Sequence, residues 1–130
     1  MPRHPSTQPT DVELRILNAL WELGPSTVRE VHRALSPDRD DGYSTTLKML
    51  QVMREKGLVL RDDSVRPQRY CASKTKQETQ LQMLDALTQK AFGGSAASLM
   101  MRMLSGRRVS TEELEEIERL IQEAREGDSP

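Results

Sequence analysis

Cysteine is nearly absent: the single thiol, Cys71, excludes an internal disulfide, and with His4 and His32 far apart in the chain no Cys/His cluster has metal-ligand spacing. Aromatic residues are equally scarce. Trp21, Tyr43, Tyr70 and Phe92 make up the whole set, so a core must come from Leu, Val, Ile and Met, which suits packed helices better than a large sheet. No charged leader followed by an apolar stretch opens the chain, and no apolar run approaches the roughly 20 residues that a membrane span needs. The expectation is a cytoplasmic protein with no membrane partner. There is also no G-x-S-x-G, no H-E-x-x-H and no phosphate-cradling glycine loop. A non-enzyme is therefore expected, with no catalytic residue, metal or cofactor. At 130 residues and 35% hydrophobic content, part of the burial is expected from a partner chain.

What is present is a succession of helix signals. Thr10 to Glu13 is a capping box, in which a hydroxyl and a carboxylate exchange bonds with the first helix N–H groups. It opens a helix with Val12, Ile16, Leu17, Leu20 and Trp21 at helical spacing, stopped by Gly24-Pro25. A second box, Thr27 to Glu30, opens a shorter helix with Val28, Val31, Ala34 and Leu35 along one side, closed by Ser36-Pro37. Residues 37 to 42, PDRDDG, read as an exposed loop with room for a short strand beside it. In the third helix Leu47, Leu50 and Met53 step by three and face inward, leaving Ser44, Thr45, Lys48, Gln51, Val52 and Glu55 outward. Gly57 supplies a stop, and LVL followed by RDDSVRPQ and RYCA reads as a hairpin whose second strand Pro67 confines to an edge.

Helix, helix, helix, hairpin is the order of a winged helix-turn-helix module. Past Lys74 a polar helix carries Leu81, Leu84, Leu87 and Ala91 up to Gly93-Gly94, then comes the apolar run SAASLMMRML. A third box, Ser110 to Glu113, starts a last helix with Leu114, Ile117, Leu120, Ile121 and Ala124. The fold class expected is mainly α, a winged helix-turn-helix N-terminal domain plus a three-helix C-terminal dimerisation region. Its divisions are a flexible arm over 1–9, a DNA-binding domain over 10–73, a helical dimerisation domain over 74–126 and a flexible tail over 127–130. The interface is assigned to Leu81, Leu84, Leu87, Leu99, Met100, Met103, Leu114, Ile117, Leu120 and Ile121.

The net charge of −1 hides a segregation. Residues 44 to 76 carry eight Lys and Arg against three acids, whereas residues 111 to 130 carry eight acids against two Arg. The first segment attracts phosphate and the second is repelled by it. Ser44, Thr45 and Lys48 are placed to read base edges, or else simply cap and solvate the helix. Arg66 and Arg69 suit phosphate or a minor groove, and Tyr70 either bonds phosphate or fixes the strand against the first helix. Arg54 and Lys56 either touch DNA or complement the dipole at the end of the third helix. The methionines read as core or interface rather than a ligand surface, and Cys71 as a small buried hydrophobe rather than a switch.

TDVELRILNALWELGPSTVREV, YSTTLKMLQVMREKGLV and RPQRY resemble, in order and spacing, the penicillinase-repressor (BlaI/MecI/CopY-type) family of bacterial transcriptional regulators over roughly residues 9 to 125. The resemblance implies a homodimeric repressor on a dyad-symmetric double-stranded DNA operator. It assigns base reading to Ser44, Thr45, Lys48 and Val52 and wing contacts to Arg66 and Tyr70, although Val52 departs from the basic residue often found there. It also implies a sensor protease as partner, cutting in the helix similar to residues 95–104, near Arg102-Met103. That pair differs from the Asn-Phe site of the best-known members, and the C-terminal cysteines of the copper-responsive branch are missing, so the residues support neither induction route. The alternative function is a winged-helix protein-interaction adaptor that does not read DNA.

Overall fold

Threonines start the first two helices. Thr10 Oγ1 accepts the Glu13 N–H at 3.2 Å while Glu13 Oε1 takes the Thr10 N–H at 2.9 Å, and α1 runs from there over Asp11–Leu23. Thr27 and Glu30 repeat the exchange at 3.2 and 2.9 Å and open α2, Val28–Leu35. The structure, a computed structural model, describes residues 8–38, 41–106 and 109–127. Most of the expected arm, residues 1–7, and the end of the expected tail, residues 128–130, lie outside the described residues. Helix α3, Tyr43–Glu55, begins at Gly42 and ends in a left-handed closure. There Gly57 (φ +82) sends its N–H to Arg54 O at 3.1 Å, and the Leu58 N–H reaches Met53 O at 2.8 Å.

Strands β1, Val59–Asp62, and β2, Arg69–Ala72, pair antiparallel, with Val59 opposite Ala72 and Asp62 opposite Arg69. The extra bridge lies not in the described part of the loop before α3 but at Ser26, which pairs with Tyr70. Ser26 N to Tyr70 O measures 2.9 Å and Tyr70 N to Ser26 O 2.7 Å. The turn between α1 and α2 thus acts as a one-residue third strand. Ile16, Leu17 and Leu20 from α1, Val28 and Val31 from α2, Leu50 and Met53 from α3, Val59 and Tyr70 form one buried cluster. Val12 of α1 and Ala34 of α2, expected on the apolar sides, are exposed instead. With this hairpin on three helices, the N-terminal part is the expected winged helix-turn-helix.

Three more helices follow: α4, Lys76–Ala91, α5, Ala96–Gly106, and α6, Thr111–Gly127. The chain divides into two compact units, 1–84 and 85–130. In the second, Thr88 O takes the N–H groups of Phe92 and Gly94, closing α4. Ser110 and Glu113 form the expected box on α6, and Arg119 pairs with Glu116 and Glu123 along its surface. No helix among the described residues is long and apolar enough to cross a membrane.

Glu13 does more than cap α1. It is 2% exposed, and its two carboxylate oxygens lie 2.9 and 2.7 Å from Lys56 Nζ, tying the start of α1 to the end of α3. Burial alone would raise its pKa, but the Lys56 ammonium and the Thr10 N–H outweigh that and hold the carboxyl below its usual range. A carboxyl depressed on folding gives stability that is fully present above its unfolded pKa and lost as pH falls through the folded one. Lys56→Ala leaves the carboxylate buried without a cation. Because the lysine side chain is 30% exposed, the expected loss is about 2 kcal/mol rather than the larger cost of breaking a fully buried pair. The acid-unfolding midpoint of the variant, followed by circular dichroism, should move to higher pH; an unchanged midpoint would show that the pair adds nothing.

Candidate nucleic-acid interface

Helix α3 has two faces of different chemistry. Thr46, Leu50 and Met53, spaced by four and three, are buried, while Ser44, Thr45, Lys48, Gln51, Val52, Arg54 and Glu55 are exposed. Leu47, expected inward, is half-buried, and Thr46 takes the deeper place because its Oγ1 lies 2.9 Å from His32 Nδ1 on α2. A threonine reads as polar in a periodicity count, so only a hydrogen-bond partner fourteen residues away explains its burial. The exposed face is broad, short-chained at its N-terminal end and basic at Lys48 and Arg54.

The N-terminal end of α3 is also chemically open. A side-chain box closes α1, α2 and α6, and a fourth, formed by Thr75 and Glu78, closes α4. Helix α3 instead starts at Gly42, in a left-handed conformation at φ 90, with no side-chain cap bond. Its first N–H groups, beside Ser44 and Thr45 at the positive end of the helix dipole, lack a side-chain box of that kind among the described residues.

The wing carries charge of two kinds. Gln51, Arg54, Glu55 and Arg61 line one shallow depression joining the end of α3 to β1. Arg61 hydrogen-bonds Asp63, and that carboxylate first, then the Tyr70 hydroxyl, holds its guanidinium above the ordinary arginine range. Arg66 is exposed at the tip between the strands. Arg69 is exposed but engaged, with Nη1 3.3 Å from Glu30 Oε1 and 3.4 Å from Pro25 O. That Glu30 carboxyl is held low chiefly by the Thr27 N–H it accepts.

Of the two readings of Tyr70, phosphate bond or packing, its burial favours packing. At 1% exposure it is a core residue, its ring facing the helices and its backbone clamped to Ser26, so its side chain cannot be a DNA contact. Leu99, expected at a subunit interface, is likewise already covered within one chain, at 9%. Leu81, Leu84, Leu87, Met100, Met103, Leu114, Leu120 and Ile121 are exposed, and Ile117 is half-buried. Cys71 is half-buried opposite Leu60. A cluster that sequence reasoning missed sits where α2 meets α3. The Arg29 guanidinium lies over the Tyr43 ring at 5.3 Å, and His32 meets that ring edge-on at 6.3 Å between centroids. No periodicity signal marks it, since Arg29 looks like any charge on a solvated face.

A sequence model of the penicillinase repressors matches residues 9–123. The chain belongs to the penicillinase-repressor family. Among its relatives are two proteins named transcriptional regulator BlaI, from Mycobacterium tuberculosis strains CDC 1551 / Oshkosh and ATCC 25618 / H37Rv. Each is 34% identical over 119 residues, covering 90% of this chain and 85% of the relative. As a penicillinase-repressor family member, the protein is a transcriptional repressor of the DNA-binding kind. The N-terminal winged helix, with one uncapped helix presenting a polar, basic face, is the physical counterpart of that membership.

Because Tyr70 acts by packing, Tyr70→Phe should keep the fold and leave DNA affinity within about twofold, forfeiting roughly 1 kcal/mol through the lost hydroxyl bond. Tyr70→Ala should cost about 3–5 kcal/mol. Denaturant melts and polarisation titrations on the two variants check this; a large affinity loss in a stably folded Tyr70→Phe would restore the contact role.

Proposed function

We propose that this repressor acts as a homodimer on a dyad-symmetric operator, each protomer laying the outward face of α3 (Tyr43–Glu55) in a major groove and its wing along the flanking backbone. The observation that carries the reading is the two-faced α3, held from behind by Leu50, Met53 and Lys56 and uncapped at its start. Lys48 can donate to guanine O6 and N7, Ser44 and Thr45 offer hydroxyls to base edges, and the Val52 methyls suit a thymine methyl. Arg54, at the far end of the helix, and Arg66, on the wing, take phosphates, and the open N-terminus of α3 takes another. Arg69 can join them only by leaving Glu30.

Two copies are supported by what one copy leaves uncovered. In the second unit Leu87, Met100, Met101, Met103, Leu104, Leu120 and Ile121 are all 46% exposed or more. That is far more apolar side chain than a soluble monomer of this size normally shows. A two-fold partner covers such surfaces and places two reading helices on two half-sites.

Titrating the protein on the intergenic DNA beside its own gene and on a scrambled duplex, at two salt concentrations, tests the reading. The expected result is preference for the first duplex, dimer stoichiometry and steep salt dependence. Lys48→Ala should lose about tenfold or more on the operator and relax preference at one position, while Arg66→Ala should weaken both duplexes alike. Equal weak binding to both duplexes with flat salt dependence, together with capture of a protein through the α3 face, would favour the adaptor. Met100→Asp or Ile117→Asp should give monomers by sedimentation that bind the operator weakly, and a wild-type monomer at micromolar concentration would sink the dimer.

A further inference from the structure

We infer that Arg29 is a further DNA-backbone contact, a guanidinium contributed by α2 that takes a phosphate beside the N-terminal end of α3, with Tyr43 as the residue that positions it. This rests on the operator-binding reading and extends it to a helix and a residue pair outside the reading face.

Three basic side chains of the first unit are occupied by carboxylates. Lys56 is bonded to Glu13, Arg61 to Asp63 and Arg69 to Glu30, so each has part of its charge neutralised by a carboxylate. Arg29 is held differently. Among the described residues no carboxylate pairs with it; its partner is the Tyr43 ring, 5.3 Å from Cζ to centroid. A ring fixes a cation's position without cancelling its charge, and a guanidinium lying over a ring keeps its N–H edges free to donate.

The ring is itself fixed from behind. Tyr43 is the first residue of α3, and its ring meets the His32 imidazole at an interplanar angle of 80°. His32, 6% exposed, is anchored by the 2.9 Å bond between Nδ1 and Thr46 Oγ1. Thr46 and Tyr43 belong to α3, His32 and Arg29 to α2, so the cluster fastens the two helices of the helix-turn-helix and ends at a placed cation. Ser44 and Thr45 follow directly, and the uncapped N-terminus of α3 is in the same place. Ordering a long arginine on binding costs side-chain entropy, and here much of that ordering precedes DNA.

The experiment is a salt series by fluorescence polarisation on the full-length protein, with the operator and a scrambled duplex. Arg29→Ala should weaken both duplexes by a similar factor, on the order of tenfold, and lower the slope of log affinity against log salt by about two per dimer, one phosphate per protomer. Tyr43→Leu keeps the charge and loses the platform, so affinity should fall severalfold with the slope nearly unchanged. Arg29→Lys should likewise retain the slope. An Arg29→Ala slope equal to wild type overturns the contact, a loss confined to the operator overturns its phosphate assignment, and a Tyr43→Leu affinity equal to wild type overturns the positioning role. If the wild type bound both duplexes equally, the operator reading would fail while the slope comparison still decided Arg29. A wild type that bound neither duplex would overturn both.

Discussion

The first unit depends on the burial of Tyr70. Its side chain is closed in among α1, α2, α3 and β1, and its backbone exchanges two hydrogen bonds with Ser26 in the turn between α1 and α2. A buried aromatic of this size contributes a few kcal/mol through burial, and the paired backbone bonds give it direction. A two-stranded hairpin alone is marginal in water. Joined at Tyr70 to the core and to a third short segment, it becomes a fixed extension of the helices, which is what a wing needs if its charges are to hold one distance from α3.

The same economy of contacts decides which charges are left for a partner. Lys56 closes the far end of α3 against Glu13, so the cation at that end which faces the core is structural and Arg54 is the one left outward. At the near end, α1, α2, α4 and α6 each satisfy their first N–H groups from a Thr or Ser and a Glu, whereas α3 has only Gly42. Unsatisfied N–H groups in water cost little, but they are strong donors to an anion that displaces that water. Helix α3 is therefore the element least complete by itself.

How much of this was legible in the sequence follows the range of each interaction. The boxes at Thr10, Thr27 and Ser110 and the stop at Gly57 are written within four residues, and all appear where local chemistry places them. The box at Thr75 was equally local and went unread behind the lysines around it. The missed features join distant positions: Glu13 with Lys56, His32 with Thr46, Arg29 with Tyr43, Ser26 with Tyr70. Each couples a polar group of one element to another element, and periodicity, which sorts only apolar from polar, is blind to them. Tyr70 shows the consequence, since the sequence leaves it between a phosphate bond and packing on the first helix, and only its long-range pairing with Ser26 and its burial separate the two.

The second unit obeys the opposite logic. Helix α6 has no buried residue within one chain. Its Arg119 pairs with Glu116 and Glu123 lie on an exposed surface, where such pairs add only tenths of a kcal/mol. Most helical stability in proteins comes from packing of an apolar face, and Leu114, Leu120 and Ile121 of α6 stay exposed. The proposed dimer covers them, and the surplus of acid over base from residue 111 onward then has a clear effect. Like charge repels phosphate, so on the proposed reading the acidic helix is disfavoured as a DNA contact and the basic face of α3 is favoured.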